Sequence, residues 1–247
     1  MRDVPGDYYR RLHEVDTRHW WHLGMRSAAV ALLDGHLHGA LLDAGCGTGG
    51  FLSWAAEQGS FPRLCGIDLS PEAIELARET VPQAELHAAP LDRIPFGDGE
   101  FDLVVSLDVL QHVHETAVDE SLRELRRVLR PGGLLLVRTN GDRRARRERD
   151  DWRAYDPQTL AADLRRAGFA VRRTTYANTA FSLAAAARGR RPHAPTESSC
   201  GVPEPEAGAK SAIGSRVLGF ETALLRRGVR LPYGHTLFAL AEREAVP

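Results

Sequence analysis

The sequence predicts an α/β fold, with helices on both faces of a doubly wound and mostly parallel sheet of seven strands. The first observation is that short apolar runs alternate with amphipathic helical segments along most of the 247 residues. The second is a glycine-rich turn that joins the first apolar run directly to the helix that follows it. Strands that alternate with helices at this spacing form a parallel sheet with crossover connections. A chain of this length is expected to form one domain, 1–247, with additions to its core.

Each strand is predicted from a short apolar run bounded by turn or helix residues. The seven runs are, in chain order, Ala40–Leu42, Leu64–Ile67, Ala84–His87, Phe101–Ser106, Leu134–Val137, Phe169–Tyr176 and Thr236–Ala241.

Start and stop residues bound the helices between these strands. Ser70 is a predicted N-cap and Pro71 a predicted first helical residue, so a helix follows the second strand. Pro131 and Gly132 are expected to end a helix over Val118–Leu129.

Two additions to the core are expected. Apolar residues recur at helical spacing between Tyr8 and His38, which predicts a two-helix cap ahead of the first strand. About sixty residues separate the last two strands, and they contain two helical segments and a tract of flexible-loop composition. The helical segments are Phe181–Ala187 and Ile213–Arg227, and the tract is Arg190–Ala209. The predicted cap is therefore 1–38, the core 39–176 with 230–247, and the insert 177–229.

The turn after the first strand carries the chemistry. Gly45, Gly47 and Gly49 alternate through it, and glycine reaches positive φ and lets the backbone approach a ligand closely. About twenty residues further on, the second apolar run ends in Asp68, where a carboxylate can accept both hydroxyls of a ribose. Together these features predict a site for an adenosine-containing cofactor across the first two strands.

Asp43 discriminates between two such cofactors. Gly45, Gly47 and Gly50 also satisfy G-x-G-x-x-G, the dinucleotide fingerprint, which is weak on its own. A carboxylate beside this turn would repel a pyrophosphate, whereas it suits the sulfonium and the ammonium of S-adenosyl-L-methionine. The alternative is an ordinary tight turn after a core strand.

Four motifs then resemble the class I S-adenosylmethionine-dependent methyltransferases, in the order and spacing of that family. They are LLDAGCGTGG, GIDLSPEAIELAR, IPFGDGEFDLVVSLDVLQHV and LRELRRVLRPGGLLLV, within Leu41–Thr175. The resemblance, which is to the bacterial small-molecule and natural-product tailoring type, implies a Rossmann-like methyltransferase fold and the methyl donor S-adenosyl-L-methionine. The expected cofactor-binding residues are Asp43, Gly45, Cys46, Gly47, Asp68, Leu69, Leu91 and Leu107.

The chain departs from this family at the adenine site. Relatives commonly carry an acidic residue where this sequence has Pro90, and Asp92 could replace it only if the loop shifts register. Backbone around Pro90 and Leu91 is the alternative contact for the ring.

Candidate acceptor residues lie beyond the strand ends. His112 stands where similar enzymes place a Glu-His pair, with Gln111 for the glutamate, and is a candidate general base. The alternative is a histidine that packs against the next helix. The other candidates are the cap aromatics, one of which is expected in the core, and a residue at the end of the sixth strand. These weaker candidates are Tyr9, Trp20, Trp21 and Tyr176.

Composition limits partners and location. A net charge of −1 argues against nucleic-acid and anionic-membrane partners, and no run of about eighteen apolar residues is present. Three scattered cysteines suggest neither a disulfide framework nor a metal site, which favours the cytoplasm. The arginine-rich segment Gly141–Asp151 could bind an acceptor anion, or form a solvated and internally paired helix face. A homodimer is possible.

These observations leave three functional hypotheses. The first is methyl transfer to an oxygen or nitrogen of a small molecule, in specialised-metabolite biosynthesis. The second is a protein of the same fold that binds the cofactor without transferring methyl, as a cyclase or a binding partner. The third is a nicotinamide oxidoreductase, which Asp43 and the lack of a Tyr-x-x-x-Lys pair disfavour.

Overall fold

The computed structural model describes residues 7–141, 153–188 and 209–244, and contains one seven-stranded sheet of order β3-β2-β1-β4-β5-β7-β6. The last strand is antiparallel to both neighbours, and the other pairings are parallel. The strands are β1 Ala40–Ala44, β2 Arg63–Asp68, β3 Glu85–Ala88, β4 Phe101–Leu107, β5 Leu129–Asn140, β6 Phe169–Ala177 and β7 Thr236–Arg243. The predicted fold class is therefore confirmed.

Helices cover both faces of this sheet. Ser70 accepts a hydrogen bond from the backbone N–H of Ala73, so the predicted N-cap lies immediately before Pro71. The helices are α1 Tyr8–Asp16, α2 Trp20–Leu32, α3 Gly50–Gln58, α4 Pro71–Thr80, α5 Val118–Val128, α6 Pro157–Arg166, α7 Thr179–Ala187 and α8 Ala209–Arg226. A short 3₁₀ turn spans Leu110–His112.

Two apolar layers form the core, one on each face of the sheet. Successive side chains of β1 point to opposite faces of the sheet and so belong to different layers. Leu41 packs with α2 and α3, whereas Leu42 packs with α5 and α6. Both faces of the central strands are therefore buried, which is why these strands appear as nearly continuous apolar runs in the sequence.

The strand after α5 begins earlier than predicted. Pro131 and Gly132 follow the end of α5 but lie inside β5, which pairs with β4 from Leu129 onward. The pairing shifts register between Phe101 and Leu103, and this irregularity accommodates a proline that cannot donate to the ladder.

The cap and the insert pack against each other. Helix α2 crosses α8 closely, because glycines on both helices leave room for the partner. A Cβ on Gly24 would lie 2.3 Å from Leu218, and one on Gly214 would lie 2.6 Å from Trp20. Helices α7 and α8 begin before the predicted Phe181 and Ile213.

Two predicted segments cannot be compared with the structure. Residues 190–208 of the flexible tract and residues 142–151 of the arginine-rich segment lie outside the described residues. Within the described part of the chain, no helix is both long enough and apolar enough to cross a membrane.

Candidate functional site

The glycine turn is fixed to the second strand by backbone hydrogen bonds. The N–H groups of Gly45 and Cys46 both donate to the carbonyl of Ile67 at 2.8 Å. Gly45 has φ +97°, and a Cβ there would lie 2.1 Å from the side chain of Val109. Position 45 therefore requires glycine for its conformation and for the close approach of the turn to the segment after β4.

Asp68 joins the same turn from the end of β2. One carboxylate oxygen accepts the N–H of Gly47 and the other accepts the N–H of Ser70, both at 2.9 Å. Burial raises the pKa of Asp68, and the backbone donors of Ser70, Gly47 and Leu69 oppose that rise. Each oxygen has a further lone pair, so the carboxylate can still accept ribose hydroxyls.

Asp43 is the buried carboxylate of the site. It is 2% exposed, and its Oδ1 atom makes no hydrogen bond with the described residues. Burial, together with the charges of Asp16 and Asp68, raises its pKa to about 8, and Arg138 opposes the rise. A buried acceptor without a partner is costly and favours a cationic or hydrogen-bond-donating ligand. Asp43 therefore fits the positively charged part of S-adenosylmethionine.

The remaining expected cofactor residues differ in placement. Cys46 is buried in the turn, and Leu69 is 46% exposed beside Asp68. Leu107 is half-buried at the end of β4. Leu91 packs into the core, so only its backbone can face a ligand, while Asp92 is exposed. The adenine contact through backbone at Pro90 and Leu91 stays a prediction.

An ion pair between Asp108 and Arg138 lies at the ends of β4 and β5, and sequence reasoning did not identify Arg138. Arg138 donates from Nη2 to Asp108 Oδ2 at 2.5 Å, and its side chain is only 10% exposed. The guanidinium carbon lies 5.6 Å from the centroid of the Trp21 ring. Asp108 itself has φ +61°, a rare conformation for a residue with a Cβ. The available signal was an arginine directly after the apolar run Leu134–Val137.

The two cap tryptophans have different surroundings. Trp20 is buried, its ring centroid lies 5.7 Å from that of Phe181, and it packs against Gly214 of α8. Trp21 instead contacts Arg138 and is partly exposed. Trp20 is thus the core residue expected of the pair, and Trp21 is the better candidate for an acceptor wall.

Two tyrosines of α1 lie within the electrostatic influence of the carboxylates at the strand ends. Burial raises the pKa of Tyr9 to about 12, and the nearby charge of Asp68 adds to the rise. Burial also raises the pKa of Tyr8, and the charges of Tyr9 and Asp108 add to the rise. Both phenols are therefore protonated at neutral pH and can donate hydrogen bonds. Sequence reasoning did not single out Tyr8, although the charge of Asp108 acts on its hydroxyl.

The Gln-His pair after β4 is divided between interior and surface. Gln111 is buried and its Oε1 accepts from the hydroxyl of Thr139 at 2.9 Å. His112 is exposed on the 3₁₀ turn, and its backbone N–H donates to Val109. Its role as a base stays a prediction, and an acceptor would have to reach the outer side of this turn.

Tyr176 lies near the end of β6, where its neighbours are close. Its ring would lie 2.8 Å from a Cβ on Gly141, and its backbone N–H donates to Leu231. The residue is partly buried against the core, so its contact with an acceptor also stays a prediction.

Known proteins share this architecture and these motifs. A family model described as a methyltransferase domain matches residues 42–137. The chain is 32% identical over 154 residues to a malonyl-[acyl-carrier protein] O-methyltransferase of Enterobacter lignolyticus, covering 62% of this chain and 57% of that protein. It is 29% identical over 133 residues to a demethylmenaquinone methyltransferase of Chlorobaculum parvum, covering 53% of each. The chain thus spans about half the length of the curated relatives it matches.

A solved structure matches the whole chain. It is a complex between the Trm112 methyltransferase activator of Haloferax volcanii and a methyltransferase, with a TM-score of 0.66 and 19% identity. The match covers 100% of this chain and 98% of that one, and at this identity it concerns the fold alone. S-adenosylmethionine is the methyl donor of the family that the sequence model describes. Residues 42–137 therefore match a methyltransferase domain, in agreement with the resemblance to the class I S-adenosylmethionine-dependent methyltransferases.

Proposed function

We propose that this protein transfers a methyl group from S-adenosyl-L-methionine to an oxygen or nitrogen atom of a small-molecule acceptor. The observation that carries the proposal is the buried Asp43 carboxylate, whose Oδ1 has no hydrogen-bond partner among the described residues. It lies one residue from the glycine turn, on the sheet that the family uses for its cofactor.

The chain's own residues divide the binding task. Asp43 would balance the positive charge of the methionine part, while Asp68 would accept hydrogen bonds from the ribose. When bound, the cofactor supplies a methyl group already activated by the sulfonium, so the protein mainly aligns the reactants and excludes water. Helix α1 serves the second purpose, because its Leu12 lies close to Gly47 and its Asp16 contacts the turn at Thr48 and Gly50.

The acceptor would lie beyond β4 and β5. Trp21 offers an aromatic wall, and the Arg138–Asp108 ion pair offers charged groups beside it. If the acceptor arrives protonated, a ring nitrogen of His112 would take its proton as a general base. Acceptors that are already nucleophilic need only alignment.

The names of the relatives support a small acceptor of variable chemistry. One acts on demethylmenaquinone and another on a malonyl group held by acyl-carrier protein. We infer a role in specialised metabolism from the cap and the insert, which can enclose a small acceptor. Exposed apolar residues on α8, such as Phe220 at 67% exposure, suit a homodimer contact. The cytoplasmic location stays a prediction.

Binding is the first test. Calorimetry should show saturable binding of S-adenosylmethionine and S-adenosylhomocysteine, and no binding of NAD. A control variant is Glu79→Ala, which removes an exposed carboxylate of α4 outside the proposed site. It should bind both sulfur ligands as the wild type does. Binding of NAD without a response to either sulfur ligand would contradict the proposal.

Product formation is the second test. Methyl-labelled S-adenosylmethionine would be incubated with the protein and a metabolite extract of its source organism. We expect a labelled small molecule and S-adenosylhomocysteine in equal amounts. Cofactor binding with neither product would favour the cyclase or non-methylating alternative.

A further inference from the structure

The end of cap helix α1 contacts the beginning of α3, the helix that follows the glycine turn. Asp16 Oδ2 accepts the backbone N–H of Gly50 at 3.0 Å and faces the hydroxyl of Thr48 at 3.3 Å. These residues are more than thirty positions apart in the chain, so the contact joins the cap to the cofactor turn.

This contact supplies the side-chain N-cap that α3 lacks. The N-cap residue of α3 is Gly49, which has no side chain to accept the first free N–H groups of the helix. Asp16 supplies that acceptor from another helix, and its charge is favourable at a helix N-terminus. Asp16 is therefore the N-cap of α3 in function, although it belongs to α1.

Two residues of α2 complete the contact. His22 Nδ1 lies 3.3 Å from Asp16 Oδ1, and Arg26 Nη1 donates to the carbonyl of Gly50 at 2.6 Å. Burial raises the pKa of Asp16, but the hydrogen bond and charge of His22, with Arg26 and Thr48, outweigh it and leave the pKa lowered. The two-helix cap thus binds the N–H of Gly50 through the ionised carboxylate of Asp16, and its carbonyl through the guanidinium of Arg26.

The requirement for glycine at position 50 follows from this contact. Gly50 does not have a positive φ, so its conformation is open to other residues. A Cβ on Gly50 would however lie 2.1 Å from Asp16 Oδ2 and 2.4 Å from its Cγ. The third glycine of the G-x-G-x-x-G pattern therefore makes room for the cap, not for a pyrophosphate.

We propose that Asp16 is a positioning residue that fastens α1 over the bound cofactor. The same helix carries Tyr9, which lies near Asp68, and Leu12, which would lie 3.7 Å from a Cβ on Gly47. Cofactor can leave the turn only when α1 moves away, and the Asp16 contact opposes that movement. The inference rests on the proposed function, because it assigns the turn to that cofactor.

Dissociation of S-adenosylhomocysteine tests the proposal directly. Asp16→Ala should raise the dissociation rate at least about tenfold, since it removes a charged hydrogen bond to a backbone donor. Asp16→Asn keeps an acceptor oxygen but not the charge, and should have an intermediate effect. Glu14→Ala, which removes an exposed carboxylate from the same helix, should leave the rate within about twofold. Equal rates for wild type and Asp16→Ala would overturn the proposal.

A double substitution tests whether position 50 is glycine to make room for Asp16 or to make room for the cofactor. Gly50→Ala alone should raise the dissociation rate, because its Cβ displaces Asp16. In the Asp16→Ala background the same change should add less than about twofold, since the clash is gone. If Gly50→Ala costs as much in that background as in the wild type, Gly50 serves the ligand and the proposal is wrong.

Hydrogen exchange separates this proposal from the proposed function. Asp16→Asn should increase exchange at the Gly50 amide and across Tyr8–Asp16 without any ligand, while the exchange of β1 stays unchanged. This variant retains the side-chain shape, so it serves if Asp16→Ala does not fold. Unchanged exchange in α1 would overturn the anchoring role. Failure of wild-type protein to bind S-adenosylhomocysteine would instead overturn the proposed function and leave the helix contact measurable.

Discussion

The two halves of the proposed site, for the cofactor and for the acceptor, are built in different ways. The cofactor half, at the ends of β1 and β2, consists largely of backbone groups and of carboxylates that lie within about thirty residues of one another. The acceptor half, at the ends of β4 and β5, is built from side chains contributed by distant segments, such as Trp21, Asp108 and Arg138. A site made from a local turn leaves a pattern in the sequence, whereas a site made from distant side chains does not.

The largest effect is expected on the acceptor half. His112→Ala should lower turnover by about 10²-fold to 10⁴-fold if the acceptor needs a base, while cofactor affinity stays nearly unchanged. Steady-state kinetics with His114→Ala, an exposed histidine two residues away, provide the control. Turnover of His112→Ala within about threefold of wild type would rule out the base role of His112.

The next effect concerns the cofactor half alone. Asp68→Ala should weaken S-adenosylhomocysteine binding by roughly 2 to 3 kcal/mol, because it removes charged hydrogen bonds to the ribose hydroxyls. Calorimetry measures this change, and Glu79→Ala is the matched carboxylate control. Thermal unfolding must be followed as well, because Asp68 also accepts the N–H groups of Gly47 and Ser70. Affinity within twofold of wild type would show that the ribose binds elsewhere.

The raised pKa of Asp43 predicts that cofactor binding depends on pH. Its folded pKa of about 8 lies above the ordinary value of 3.8, so the carboxyl is largely protonated at neutral pH without cofactor. A cationic ligand favours the ionised form, so binding should release a proton. Below pH 8 the affinity should therefore increase by up to about tenfold for each unit that the pH rises. Calorimetry in two buffers of different ionisation enthalpy measures the proton, and Asp43→Asn should abolish its release.

The same shift fixes the sign for stability. A carboxyl whose pKa is raised by folding stabilises the cofactor-free protein below its unfolded pKa, and that contribution is lost as pH rises toward 8. Asp43→Asn should therefore flatten the pH dependence of thermal unfolding in this window. Wild-type binding that is constant between pH 6 and pH 9 would show that Asp43 is already ionised.

The smallest effect distinguishes the two tryptophans. Trp21→Ala should raise the KM for the acceptor by about threefold to tenfold, as expected for loss of one aromatic contact, with a small change in stability. Trp20→Ala should instead lower the free energy of unfolding by about 3 to 5 kcal/mol, because it leaves a cavity between α2 and α8. Kinetics and thermal unfolding on both variants test the contrast. Equal stability losses would place both rings in the core.

Sequence reasoning succeeded where the constraint is local. The seven strands, the cap of α4 at Ser70 and the turn at Gly45 each depend on residues within one turn or one strand. It was less accurate at Pro131, which follows α5 but lies inside β5, because strand pairing with β4 outweighs the local tendency of proline.

The sequence by itself determined the fold class, the turn and the carboxylates Asp43 and Asp68, because periodicity and glycine spacing encode backbone conformation directly. Only the tertiary structure decided which tryptophan is buried, which charge Arg138 meets and why position 50 is glycine. The physical reason is distance along the chain. Asp16 and Gly50 contact each other only after the cap has packed on the sheet, and no local pattern records that contact.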